Sequence, residues 1–483
     1  MVVFFAWLVW LPMPFGSVID IAQPLLITVP VVVCAAAALI RAMVMGIRPV
    51  PTVQTVPYRI WTVAAILFAI FVALQLVPLP PSTLRALSPQ SAYIWEQAAA
   101  ISSMVLGRPP SAAHPISIDP PATTIELFRF LAYFAAFQAS ALLVRRHRRR
   151  LALAIVLASA ALFETLYGVH EVALRRYSIW GWENKLVVNR VTGTYVNPNH
   201  FGNYLAIILP LTVFIAAAAW HASHPGAPLR HRLVRLFESH FFAASFAVLT
   251  ATACLVGILV SGSRGALLAV AGGFTSVAAM RLFFAPAPKG KSRRGLRTAK
   301  LAAFVAAGAI FVGVLVEYLG HERTVSRFKP VAGQELTLEG RVTGLKTAYG
   351  AWELFPLFGS GYGTFEEVAS MTQRADLDAI FNHAHNDFAE LAATTGTVGF
   401  MIAIVAVIAG YVGFVRMTFR NLAASWNRHA YQLAALTSIT IAIVHALFDF
   451  NFYIPANPAT LAAIVGAAVA ARDAERFIPP SSP

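Results

Sequence analysis

Long apolar runs separated by shorter polar connections set the pattern of this 483-residue chain. A hydrocarbon core about 30 Å thick needs ~20 apolar residues in helical form to cross it. Runs approaching that length recur near residues 2–15, 25–45, 60–78, 124–144, 151–171, 202–220, 241–261, 265–284, 301–318, 397–415, 430–450 and 456–472. The pattern predicts roughly twelve transmembrane helices. The first run is short and carries Pro12 and Pro14. A cleaved signal peptide competes there, but no positive n-region precedes the run, so a retained span is expected.

Composition agrees with the pattern: 58% of residues are hydrophobic and 12% charged, with a mean hydropathy of +0.66. The expected class is an all-α polytopic membrane protein. Lys and Arg fix its orientation, because cytoplasmic connections keep an excess of positive charge. With the N-terminus inside, the inside segments hold Arg41, Arg48 and Arg59, then Arg145 to Arg150, Arg230 to Arg235, Lys289 to Lys300, Arg416 to Arg428, and the tail from Arg472. Acidic residues fall mostly on the other side. The net charge of +15 therefore reads as topology plus attraction to anionic lipid heads, and no nucleic-acid partner is expected. Cys34 and Cys254 each lie inside an expected span and offer neither a disulfide framework nor a thiolate metal site.

The domain division follows. Residues 1–318 carry spans one to nine, with periplasmic loops at 79–123 and 172–201; residues 319–396 form a large periplasmic loop; residues 397–472 carry the last three spans; residues 473–483 are a cytoplasmic tail. Within the large loop, Val342, Leu345, Tyr349 and Trp352 recur at spacings of three and four, which predicts an amphipathic surface helix over 341–355, ended by Pro356. Gly359 to Gly363 has the glycine content of a phosphate loop but no strand-loop-helix setting, and reads as a turn. Arg-Val-Thr-Gly occurs at 190 and at 341, too short a repeat to argue for duplicated halves.

The unusual polar residues gather on the outside. His385-Asn386 is followed by nine residues, Gly396, two residues and Gly399. Asp387 to Glu390 has an acidic variant of the capping-box spacing, so a short helix is expected to start here and end at Gly396, with Asp387 and Glu390 structural. That places His385 at a helix N-terminus, where the dipole disfavours imidazolium and keeps a basic nitrogen available. Arg264 lies in Ser261 to Gly265, between two spans with almost no loop; snorkelling is the plain reading, but its small neighbours permit close approach of a headgroup. Arg341 opens the expected amphipathic helix, and Arg190 precedes Thr192 to His200. Converging guanidinium groups would clamp phosphate oxygens in bidentate fashion, whereas each taken singly reads equally as a solvated charge. Asn197 to His200, including Asn199 and His200, reads as a turn and N-cap or as part of a site. His445 and Asp449 are four apart on one helical face near its outer end, where a functional role and a mutual hydrogen bond explain them equally well. Asp376 and Asp378 mimic a two-carboxylate metal signature, but solvated loop acids explain them better. No metal or cofactor is expected.

These residues carry a resemblance. Arg190 to Gly202, Ser261 to Gly265, Arg341 to Gly363, His385 to Gly399 and His445 to Asn457, in that order, resemble the O-antigen ligase family, which includes lipopolysaccharide O-antigen ligases, polysaccharide polymerases and bacterial protein O-oligosaccharyltransferases. The resemblance spans roughly residues 115 to 470 in motif order. It implies a twelve-helix bundle of the membrane C-type glycosyltransferase kind, in the inner membrane, with its active site facing the periplasm. It also implies metal-independent transfer of a glycan from undecaprenyl diphosphate to a hydroxyl acceptor in O-antigen or exopolysaccharide synthesis. His385 would be the catalytic base, with Arg264, Arg341 and Arg190 holding the diphosphate and Asn199, His200, Asn386 and Asp449 in support. The acceptor would be the lipid A core or a growing polysaccharide; the short segment after the last span disfavours a protein. A polysaccharide flippase or solute transporter is the alternative from another class, and depth discriminates them. An enzyme would gather Arg264, Arg341 and His385 at the outer boundary, whereas a transporter would line a central path with Glu164 and His445.

Overall fold

The computed structural model describes residues 1–45, 55–107, 113–184, 187, 189–222, 228–284, 302, 338–373, 381–420 and 426–470. Among these residues the chain is almost wholly helical, the exception being one two-stranded antiparallel ribbon, Ser178–Ile179 with Trp182–Glu183. Eight helices are long and apolar enough to cross a membrane. The chain is an all-α polytopic membrane protein.

The apolar runs locate the helices closely. They are α1 (Val2–Trp10), α2 (Gln23–Met45), α3 (Val56–Gln75), α4 (Pro81–Leu87), α5 (Pro89–Leu106), α6 (Pro120–Leu143), α7 (His147–Ala173), α8 (Pro198–Ala222), α9 (Leu229–Ser239), α10 (Phe241–Ser261), α11 (Arg264–Phe284), α12 (Leu338–Leu354), α13 (Phe365–Thr372), α14 (Asp387–Arg420), α15 (Trp426–His445) and α16 (Ala456–Val469). The first expected span departs from the pattern. Helix α1 has nine residues, or about 14 Å at 1.5 Å per residue, less than half the core thickness. Pro12 and Pro14 then end it by removing backbone donors, and the chain passes through two 3-10 turns before α2. Helix α15 is long but rich in polar residues, and α16 has only 14 residues. Of the ninth expected span only Ala302 is described; Asp376, Asp378 and the tail at 473–483 lie outside the described residues.

Helix α8 is the axis of the bundle. Its residues are buried on every side, Phe201, Tyr204, Leu205, Ile208, Leu211 and Phe214 among them, which is how a helix apolar all round behaves at the centre of other helices. It packs against α7, α10, α11 and α15. Lipid tails are as apolar as leucine, so helices in a bilayer are held by close van der Waals fit and interhelical hydrogen bonds more than by hydrophobic burial. Small residues supply that fit. A Cβ on Gly202 of α8 would stand 2.9 Å from the Ser263 Cβ, so only glycine lets the start of α8 meet the α10–α11 junction. Ser438 of α15 donates to the Ile207 carbonyl at 2.7 Å, and Ser140 of α6 to that of Ala463 at 2.6 Å.

The polar segments fold as helices too. Helices α4 and α5 occupy the expected loop at 79–123, and α12 ends one residue before Phe355-Pro356. On α12, Ala348 and Ala351 are buried, while Val342, Leu345 and Tyr349 form an exposed apolar stripe. Gly359 to Gly363 is a turn, with positive φ at Gly359, Gly361 and Gly363. Helix α14 is broken at Gly396 (φ 63°, ψ −173°), a conformation that belongs to glycine. A side chain there would strike the Gly359 amide and the Leu357 carbonyl, so the short helix expected from Asp387 does end at Gly396 before the apolar run continues.

Candidate active site

The ends of α3, α6, α8, α11, α14 and α16 meet at one end of the bundle, and His385 lies among them in the loop that leads into α14. Its backbone sits at φ 50°, a left-handed value that costs energy for a residue with a Cβ. Hydrogen bonds on both sides hold it there. Asn386 donates its side-chain amide to the Leu447 carbonyl at 3.0 Å, and the Asp387 amide donates to the Ala446 carbonyl at 3.0 Å. Asn386 Oδ1 also accepts from the Ala389 amide at 2.9 Å, so Asn386 is the side chain that caps α14. Asp387 and Glu390 are structural, as expected, but they brace the approach to the helix. Asp387 Oδ1 accepts from the Phe452 amide at 3.1 Å and Glu390 Oε2 from the Ala384 amide at 2.8 Å.

With the loop fixed, His385 Nδ1 stands 3.2 Å from Asp449 Oδ1. Asp449 is 1% exposed. A carboxylate accepts only, so Nδ1 carries the proton and donates, which leaves Nε2 as an acceptor. His200 Nε2 approaches the same oxygen at 3.7 Å, beyond hydrogen-bond length. The Phe450 ring separates the three histidines: its centroid is 4.0 Å from the His383 ring, stacked upon it, and 4.5 and 4.9 Å from those of His200 and His385, edge to face. His383 Nδ1 lies 2.8 Å from Glu390 Oε1. Burial pushes the His383 pKa down, and the Glu390 carboxylate beside it outweighs that and raises it.

A second group adjoins the first. Asn451 Nδ2 donates to His445 Nδ1, so His445 must carry its proton on Nε2, a buried donor with no partner among the described residues. A Cβ on Gly265 would lie 3.4 Å from that Nε2, which sets the ring beside the first turn of α11, where Arg264 opens the helix and is exposed. Arg341 is within electrostatic reach of His445, and its Nε is buried with no hydrogen bond among the described residues. One turn beyond Arg341, a Cβ on Gly344 would come 3.0 Å from the Ala384 carbonyl, so α12 lies against the His385 loop. Arg190 Nε donates to the Ser261 carbonyl at 2.6 Å, at the end of α10 three residues before Arg264. Arg190 thus touches the end of α10, Arg264 opens α11 beside His445, and Arg341 lies on α12 one turn before its contact with the His385 loop.

Asn199 stands apart. Asn197 Oδ1 accepts from its amide at 2.8 Å, the turn geometry that starts α8, and no described contact joins its side chain to His385. The Asp449 amide donates to the His445 carbonyl at 3.2 Å, but their side chains do not bond each other and turn to Asn451 and His385 respectively. Sequence reasoning overlooked Asn451 and Asn457, whose amides run in series from His445 to the His200 carbonyl (Asn457 to Asn451 3.3 Å, to His200 3.2 Å). It also overlooked His383 and Phe450. The available signal was amide side chains in the otherwise apolar stretch 450–457.

Below His385 an apolar cleft of about 380 Å³ runs down between α3, α6, α14, α15 and α16. Asp387, Phe452 and Tyr453 line it near the site, and Trp61, Phe137 and Val465 line it further along.

Compared with known proteins, residues 249–404 match the O-antigen ligase family. No curated protein matches the chain. The matched stretch contains Arg264, Arg341 and His385, whereas Arg190, His200 and Asp449 lie outside it. The chain is thus similar to the O-antigen ligase family, which supports a role as an O-antigen or polysaccharide ligase or polymerase.

Proposed function

We propose that the protein transfers a glycan from undecaprenyl diphosphate to a hydroxyl acceptor, the lipid A core or a growing polysaccharide, at the periplasmic face of the inner membrane. The observation that carries this reading is the His385–Asp449 pair at 3.2 Å, and the segments that bear Arg190, Arg264 and Arg341 support it by packing near that pair. His385 Nε2 takes the proton of the acceptor hydroxyl as its oxygen bonds to the sugar C1. The C1–O bond to phosphate breaks, and the diphosphate leaves with the electron pair. Asp449 holds the ring in the required tautomer and stabilises the imidazolium that forms. The guanidinium groups and the His445 Nε2–H meet the charge growing on the departing oxygens. The apolar cleft suits a polyprenyl tail that stays in the bilayer while its diphosphate reaches the arginines.

A flippase or transporter fits less well. Glu164, an ionisable group within α7, is engaged by the Thr194 amide and hydroxyl at 2.8 and 2.9 Å, and so ties α7 to the chain before α8. The test is to reconstitute the purified protein in vesicles with undecaprenyl-diphosphate-linked glycan and each acceptor. The expected result is free undecaprenyl diphosphate in step with glycosylated acceptor. Movement of intact donor across the bilayer with no cleavage of the sugar–phosphate bond would favour the transport reading.

A further inference from the structure

The opposite end of the bundle holds a second cavity, of about 500 Å³, between the start of α3, the last turns of α14, the start of α15 and the end of α16. Arg416, Arg420 and Arg428 line it, and among the described residues no acidic side chain does. Two further features point into it. Gln432 is 3% exposed, lines the cavity, and has its Oε1 without a partner among the described residues. Which amide atom is oxygen is a matter of assignment, so Gln432 equally presents its N–H₂ as a donor. Thr55 at the N-terminus of α3 does not cap that helix; its hydroxyl donates to the Val469 carbonyl at 3.2 Å, leaving the positive end of the α3 dipole toward the cavity. Beside the cavity, Val56, Val63, Val405, Ile408 and Val412 are exposed and apolar.

We infer that this cavity is a binding site for the phosphate headgroup of an anionic phospholipid, its acyl chains lying along the neighbouring apolar faces of α3 and α14. Three planar guanidinium groups match phosphate oxygens, and a basic hollow between helices on the cytoplasmic side is the setting in which anionic headgroups bind. The apolar flank selects a lipid over a soluble anion, because only a lipid fills both parts. Gly413 lines the cavity, and a Cβ there would meet Pro57 only at an ordinary 3.7 Å. A Cβ at 413 therefore fits without a clash, and a leucine there adds bulk to the lining of the hollow while keeping every arginine in the chain. The inference stands on this end of the bundle alone and is independent of the transfer reaction.

The test titrates the full-length protein in detergent with phosphatidylglycerol, phosphatidylcholine or inorganic phosphate, and reads bound lipid by native mass spectrometry. Phosphatidylglycerol is expected to bind well ahead of phosphatidylcholine. R416Q/R420Q is expected to weaken it about 25-fold, at about fivefold for each basic group removed. G413L should weaken it at least tenfold while every charge remains, and R148Q, an exposed arginine of the same basic end, should leave it unchanged. Wild-type phosphatidylglycerol affinity in both R416Q/R420Q and G413L would overturn the site. Displacement of the lipid by an equal concentration of inorganic phosphate would overturn the lipid as its ligand.

Discussion

Two buried carboxylates invite comparison. Glu164 and Asp449 are both essentially inaccessible, at 0% and 1% exposure, and both lie in runs that the hydropathy pattern assigns to the membrane, Glu164 within α7 and Asp449 in the bend four residues past the end of α15. Glu164 spends both oxygens on one neutral partner, the amide and hydroxyl of Thr194. Asp449 has His385 and the Phe450 amide on Oδ1, His200 close by, and an Oδ2 that no donor among the described residues reaches. The first arrangement is a tie between neighbouring segments, in which the Thr194 hydroxyl shares its one proton between Glu164 and the Pro12 carbonyl. The second is poised, since its principal partner is a ring that gains and loses protons. Burial and charge alone do not mark a reacting group; the chemistry of the partner does.

The largest effect is expected at the margin of the Asp449 region. Replacing Arg264 and Arg341 together by Ala should lower glycan transfer at least about 10²–10³-fold, the cost of removing one preorganised charge donor at a developing anion. Purified variants assayed with a fixed donor concentration give the comparison, and a loss below tenfold would detach the arginines from the reaction. Asp449→Asn comes next. It keeps the size of the side chain but offers an amide to Nδ1, disturbing the tautomer, and a fall in turnover of about 10²-fold with unchanged donor affinity is expected. Glu164→Gln should cost about 1–3 kcal/mol of stability through the lost acceptor, while turnover per folded molecule stays within twofold. A selective loss of turnover in that variant would erase the contrast between the two carboxylates.

The smallest effect concerns pH. The His383 pKa is raised above its ordinary value near 6.5, so the His383–Glu390 attraction, modified by Glu126 and Asp449 nearby, is fully present below that value and lost as pH rises through the raised one. The wild type should therefore lose more melting temperature between pH 6.5 and 9 than His383→Gln does. Parallel curves would mean the pair contributes nothing.

Much of this was legible in the chain. Apolar runs gave the helices, the glycine at 396 gave the break in α14, and Pro356 gave the end of α12, because each is a local consequence of backbone chemistry. Local pattern also brought His385, Arg264 and Arg341 forward as candidates. It failed at α1, where a hydrophobic run proved too short a helix. It failed again on partners: His385 meets a residue 64 positions away, and the amide series from Asn451 through Asn457 to His200 spans more than 250 positions. No periodicity encodes such pairings. They arise from how α8, α14 and α16 end at the same level of the bundle, and that is a property of packing.

The claim that His385 is the base is tested most directly by single-turnover transfer with His385→Ala, measured beside binding of the undecaprenyl-diphosphate glycan to the same preparation. The account predicts a rate lowered about 10²–10⁴-fold with donor affinity within threefold of wild type. A variant that binds donor normally and transfers at the wild-type rate would contradict it.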